Sequence, residues 1–262
     1  QIYEQILSDL TDAENALPYP LEYGTTDIGR ATKGAAKILA GKVYLTKGDY
    51  SKAKEKLAEV VEQEGAYGYG LHVNYGDNWN LETEAGKEAV LYIEYKQDPF
   101  PKNDEMSMIG PKYSIPEPVG VNGSNEADIP TIELNDKYNE NDKRKAVNLR
   151  THYTNPQNGK ELISSIPLFG KYWQEGITAI KFCEINMHII RYSDALLMYA
   201  EALNEMGETD KAVEQINKIR SRCGAQLLNS NTPTTVKGKD DMRERIRNEY
   251  YWELGGENVM YW

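Results

Sequence analysis

From Ile189 to Glu205 the chain reads as an amphipathic helix, its apolar residues recurring at Ile190, Ala195, Leu197 and Met198, Ala202 and Leu203. Small side chains at Ala195, Ala200 and Ala202 let a partner helix approach closely. Gly207 is expected to stop this helix, and Asp210-Lys211-Ala212 to open a second one running to Arg222. The same logic occurs upstream. A stripe of Ala35, Ile38, Leu39 and Val43 predicts a helix from Ala31 to Thr46, and another is expected from Ser51 to about Gln63. Between them stands Gly48-Asp49-Tyr50, followed by Ala53, the turn and second-helix start of a tetratricopeptide unit. Ala53 and Ala212 lie far more than one repeat apart, so two repeat units are split by a long insertion. Tyr50, Tyr192 and Tyr199 read as core.

One domain in three segments is therefore expected: helices over 1–64, a loop-rich insertion over 65–187, and a helix pair with a terminal helix over 188–262. Residues 2–17 carry Ile2, Ile6, Leu10, Ala13 and Leu17 on one helical face, ended by Pro18 and Pro20. Within the insertion, Glu88 to Tyr95 predicts a strand, Ile132 to Tyr138 a short helix, and Asn139 to Arg150 a charged turn containing Asp142-Lys143-Arg144. A last helix from about Asp240 to Leu254 places Glu249 and Glu253 one turn apart. They read as ion-pair partners of Arg243 and Arg247, or as buried hydrogen-bonding groups.

The formal charge of −11 argues against nucleic acid and against anionic membrane surfaces as partners. His72, His152 and His188 are scattered without partners at ligand spacing, so no metal site is expected. Asp77-Asn78-Trp79-Asn80 lacks the glycine and terminal Glu of a calcium loop. Gly65-Ala66-Tyr67-Gly68-Tyr69-Gly70 lacks the strand–helix context of a dinucleotide fingerprint, and no phosphate loop or nucleophile elbow is present, so no cofactor is expected. Cys183 and Cys223 read as buried free thiols. No carboxylate pair stands out among the 41 Asp and Glu residues, and the chain is read as a non-enzyme. Tyrosine is in excess, 19 against 3 Phe, which suits surfaces that stack ligands yet stay wet.

The 189–205 wording resembles the helical core of the SusD/RagB family of outer-membrane nutrient-binding lipoproteins of Bacteroidetes. Further segments are similar in order: Ile6 to Pro18, Ala31 to Tyr50, Glu88-Ala89-Val90 with its strand, and Asp142-Lys143-Arg144. The end departs from the pattern, since Asn248-Glu249-Tyr250 and Glu257-Asn258-Val259-Met260 lack its arginines, while Glu249, Glu253 and Glu257 are kept. The resemblance implies a mainly α fold, a SusD-like superhelix of tetratricopeptide-like helix pairs with a long loop-rich insertion containing short strands. It also implies non-catalytic glycan binding at the cell surface, delivery to a SusC-like TonB-dependent transporter, and a lipid anchor in an N-terminal part missing from this chain, along with a short C-terminal tail. A protein-binding scaffold, a peptide carrier and a hydrolase are the rival readings. Sugars need aromatic platforms beside amide and carboxylate groups. The expected ligand contacts are accordingly Tyr75, Asp77, Asn78 and Trp79, Tyr95 at the strand end, Tyr113 and Asn122 on the Pro/Gly loops, and Trp173.

Overall fold

The computed structural model describes residues 1–96, 129–154, 159–174 and 183–257; Tyr113 and Asn122 lie outside them. In chain order the elements are α1 (Ile2–Ala16), α2 (Lys33–Thr46), α3 (Tyr50–Val61), the one-turn α4 (Glu64–Tyr67), β1 (Ala89–Ile93), α5 (Ile132–Lys137), α6 (Arg144–Asn148), β2 (Leu149–Thr154), β3 (Glu161–Phe169), β4 (Met187–Arg191), α7 (Tyr192–Glu205), α8 (Thr209–Cys223) and α9 (Lys239–Leu254). The fold is mainly α, as expected.

Local chemistry sets the helix starts. The Thr32 hydroxyl accepts the Ala35 N–H at 3.1 Å, and the Asp49 carboxylate accepts that of Lys52 at 3.3 Å. The Asp194 carboxylate accepts the Arg191 N–H at 2.9 Å, which fixes the first turn of α7. Gly224, at φ 69°, closes α8 in the left-handed conformation. Packing then joins the two helix pairs that the sequence separates: α2 lies on α3, α3 on α7 and α7 on α8, with α1 against α2 and α9 across α7 and α8. Ala53, Ala195, Ala200, Ala202 and Ala212 are fully buried at these crossings. At Gly41 a Cβ would stand 2.6 Å from Leu57 Cγ, so α2 and α3 meet at backbone distance. Tyr192 and Tyr199 are core residues, whereas Tyr50 is only half-buried.

Two expectations are corrected. Residues 189–191 are not helical: β4 pairs antiparallel with β1, Leu91 opposite Ile190 and Ala89 opposite Arg191, and the helix begins at Tyr192. β-branched Ile189 and Ile190 suit a strand, and only Asp194 supplies a cap. The charged turn at 139–150 in fact runs into α6 and then β2, which forms an antiparallel hairpin with β3. A second hydrophobic cluster, with Tyr138, Leu149, Tyr153, Leu168 and Phe169 among its members, lies here.

Between the insertion and the helices lies a buried lattice of charge. Arg191 donates to Glu88 Oε1 at 2.6 Å, to Glu253 Oε1 at 3.1 Å and to both Glu257 oxygens at 2.8 Å. Arg222 reaches Glu88 Oε2 at 2.9 Å and Glu253 Oε1 at 2.6 Å. Arg144 joins Asp142, Glu249 and Glu253, and Arg220 donates to Glu249 Oε2 at 2.7 Å. Lys171 completes the set with Glu257 Oε1 at 2.5 Å and the Glu253 carbonyl at 2.8 Å. The cations Arg144, Lys171, Arg191, Arg220 and Arg222 thus balance Glu88, Asp142, Glu249, Glu253 and Glu257. Glu249 and Glu253 are therefore buried hydrogen-bonding groups, and their cations are not Arg243 and Arg247; Arg243 pairs instead with Glu205 and Asp240 on the surface. Burial opposes ionisation of Glu257, but Arg191 and Lys171 outweigh it and hold the carboxyl below its usual range.

Removing one partner from such a lattice strands the others. Glu253→Gln, facing Arg144, Arg191 and Arg222, should lose about 3–5 kcal/mol of unfolding free energy in urea titrations; an unchanged midpoint would show the lattice to be dispensable. Glu84 behaves oppositely. Burial, opposed by the Asn186 N–H at 2.8 Å and reinforced by Glu94 and Glu184, raises its carboxyl to about 7. A folded value above the unfolded 4.5 means that its contribution is present at low pH and lost as pH rises through about 7. Glu84→Gln, which does not titrate, should therefore gain on the wild type between pH 4.5 and pH 8 in thermal melts, and a pH-independent difference would refute the assignment.

Candidate functional site

The residues expected to meet ligand divide sharply by exposure. Tyr75, Asn78 and Trp79, on the 3-10 turn Tyr75–Trp79, are buried, as is Trp173. The Tyr75 hydroxyl donates to the Glu253 carbonyl at 2.7 Å, and its ring lies 4.9 Å from the Arg222 guanidinium. Lys171 Nζ sits 4.8 Å from the Trp79 ring, with Arg191 at 5.3 Å. Asn78 is turned inward and donates to the Tyr75 carbonyl at 3.0 Å. Trp173 meets Tyr153 edge-on at 4.6 Å. Tyr75, Asn78, Trp79 and Trp173, expected as sugar contacts, thus offer no open face in this arrangement, whereas a platform needs an open ring face and these rings face cations or core. Burial beneath this cover, partly offset by Glu257, brings Lys171 down to about 8. Asp77 and Tyr95 keep some open surface; Asp77 accepts from the Asn74 amide at 3.3 Å, and the Tyr95 N–H donates to Asn186 Oδ1 at 2.9 Å.

The aromatic–polar mixture suited to a sugar is found elsewhere. Ile129, Pro130, Leu134, Phe169, Tyr251 and Trp252 wall a cleft of about 450 Å³, with Thr131, Glu133, Lys137 and Asn248 as its polar members. That volume falls within the range of small-molecule sites. The end of α9 positions the aromatic pair. Its last carbonyls, orphaned in an isolated helix, are taken up from below: Trp252 O accepts Asn148 Nδ2 at 2.8 Å and the Tyr138 hydroxyl at 3.2 Å. Arg220 lies 5.3 Å from the Trp252 ring and steadies it from the interior. At Gly256, φ 78°, a Cβ would stand 2.8 Å from Phe169 Cδ1, so the chain leaves the helix close against the cleft wall. Tyr251 retains open surface. Sequence reasoning passed over these residues by reading α9 as a terminal packing helix. The available signal was the Tyr250-Tyr251-Trp252 run on an otherwise charged segment. Asp77 and Tyr95 do not line this cleft. Among the described residues no three His, Cys, Asp or Glu side chains are grouped to hold a metal ion, and no helix is long and apolar enough to cross a membrane.

Residues 165–262 match the SusD family. SusD-like protein P2 of Formosa agariphila is 27% identical over 98% of this chain and 54% of its own length. The chain spans about half the length of the curated relatives it matches. A SusD-like protein of Bacteroides fragilis NCTC 9343 shares the fold at a TM-score of 0.77 and 23% identity, over 97% of this chain and 57% of that one. A laminarin-binding SusD-like protein superposes at 0.72 with 25% identity, over 98% of this chain and 58% of that one. The helix wording at 189–205 thus lies inside a segment that matches the SusD family, and over nearly its whole length the chain is similar in sequence and fold to SusD-like proteins.

Proposed function

We propose that this protein binds glycan without cleaving it, at the surface of the outer membrane of a Bacteroidetes-type bacterium, and that the cleft at the end of α9 is where the glycan sits. The observation that carries the reading is the cleft itself: Tyr251 and Trp252 side by side at its wall, next to Asn248, Lys137 and Glu133, on a SusD-like frame. A pyranose offers an apolar CH face to the rings and hydroxyls to the polar groups. Likeness to the laminarin-binding protein over 98% of this chain supports the ligand class. Glycoside hydrolysis needs two carboxyl groups flanking the bond, and Glu133 is the one carboxylate among the cleft's described walls, which favours capture over cleavage. Delivery of the bound glycan to a TonB-dependent transporter, with a lipid anchor upstream, completes the proposal.

The test is a polysaccharide-binding panel with two variants. Tyr251→Ala should weaken binding about tenfold or more while leaving the melting temperature near that of the wild type. Trp79→Ala should lose about 3–5 kcal/mol of stability by uncovering Lys171 and Arg191, yet bind like the wild type wherever it remains folded. Full binding by Tyr251→Ala would move the site. Release of reducing sugar would support a hydrolase, and transporter co-purification with no binding on the panel would support a scaffold.

A further inference from the structure

A separate groove opens between residues 20–32 and the start of β1, with a cavity of about 190 Å³. Tyr23, Arg30, Tyr67, Tyr69, Lys87 and Tyr92 are among its walls. Its back is rigid. The Tyr69 and Thr32 hydroxyls are bonded at 2.6 Å, Tyr67 stacks on Tyr69 at 6.1 Å, and Tyr69 leans on Tyr192 of the helical core at 6.4 Å. Tyr23 is held in place by its hydroxyl, which donates to the Ala31 carbonyl at 2.7 Å.

The front, in contrast, has unused capacity. Among the described residues the Tyr92 hydroxyl has no hydrogen-bond partner and the Lys87 ammonium no carboxylate. Gly29 stands beside that hydroxyl with φ 93°. A Cβ there would lie 3.3 Å from Tyr92 Oη and 3.8 Å from Glu94 Oε2, so glycine leaves this corner open. Arg30 is already neutralised by Asp27 at 2.8 Å, and the positive charge of Lys87 is opposed by the negative charge of Glu94, whose Oε2 would stand 3.8 Å from a Cβ at Gly29 beside the groove. The charges cancel. An anionic ligand would find no net attraction here, whereas a ligand whose groups both donate and accept can use the hydroxyl, the ammonium and the carboxylate together. Exposed Leu21 and Ile28 add apolar surface at the same place.

We propose that this groove is a second carbohydrate subsite, taking a neutral pyranose unit with Tyr23 and Tyr92 against its ring and with Tyr92 Oη and Lys87 Nζ donating to its hydroxyls. The proposal rests on the glycan-binding reading above and adds to it a place and a charge class. The test uses the full chain against immobilised neutral polysaccharides (laminarin, starch, xylan, galactomannan) and acidic ones (alginate, polygalacturonate, carrageenan). The wild type, the double variant Tyr92→Phe with Lys87→Ala, and Tyr251→Ala are compared. Both groove residues are partly or fully exposed, so the double variant should fold and melt as the wild type does. It should bind neutral polysaccharide about tenfold more weakly, the loss of two hydrogen bonds. Unchanged affinity in the double variant, or a wild-type preference for the acidic polymers, would overturn the subsite and leave the glycan reading standing. A wild type that binds nothing on the panel would overturn both.

Discussion

Arg191 ties together segments that lie far apart in the chain. It stands where β4 becomes α7, and its guanidinium is fully buried between Glu88 ahead of β1 and Glu253 and Glu257 at the far end of α9. A lone guanidinium in that position would be prohibitively costly, so the fold closes only when three distant segments arrive together. Arg144, Arg220, Arg222 and Lys171 extend the same demand to the 142–144 turn, the end of α8 and the chain after β3. Hydrophobic burial brings these parts near one another, and the charge lattice makes one arrangement far better than its neighbours, because any slip would leave a buried ion unpaired.

The surplus of tyrosine over phenylalanine acquires a structural meaning. Inside the helical stack the Tyr192 hydroxyl donates to Glu64 Oε1 at 2.6 Å and the Tyr199 hydroxyl to Glu62 Oε1 at 2.5 Å. Each ring fills the core while its oxygen reaches the polar rim, which phenylalanine could not do. Cys183 and Cys223 are both buried, and the Cys183 thiol donates to the Tyr172 carbonyl at 3.5 Å. Burial and the nearby Glu253 raise Cys223 to about 12, which leaves it a packing residue without thiolate reactivity.

Helices with a clear apolar period were legible in the sequence, because a stripe such as Ala35, Ile38 and Leu39 has one way to be buried. The small residues Ala53 and Ala212 likewise marked their crossings correctly. The strand at 187–191 was misread because Ile189 and Ile190 fit either period, and its β1 partner lies a hundred residues upstream. The candidate site was least legible. A Tyr–Asn–Trp run in a Gly-rich segment has the same composition whether it faces a sugar or covers buried cations. What places Tyr75 and Trp79 over buried cations is the position of Lys171, Arg191 and Arg222, set by tertiary contacts between residues far apart in the chain.

The packing of α3 on α7 joins two surfaces with residues 62–191 between them. During synthesis α2 and α3 can pair as soon as they emerge, but the outer face of α3 stays uncovered until α7 has been made. Closing so long a connection costs conformational entropy that grows only logarithmically with its length, about 0.6 kcal/mol for each doubling. Segments within it can therefore lengthen or shorten at little thermodynamic expense while the lattice residues at its edges stay fixed. A fold wired in this way separates the residues that closure requires from the segments whose length is free to vary.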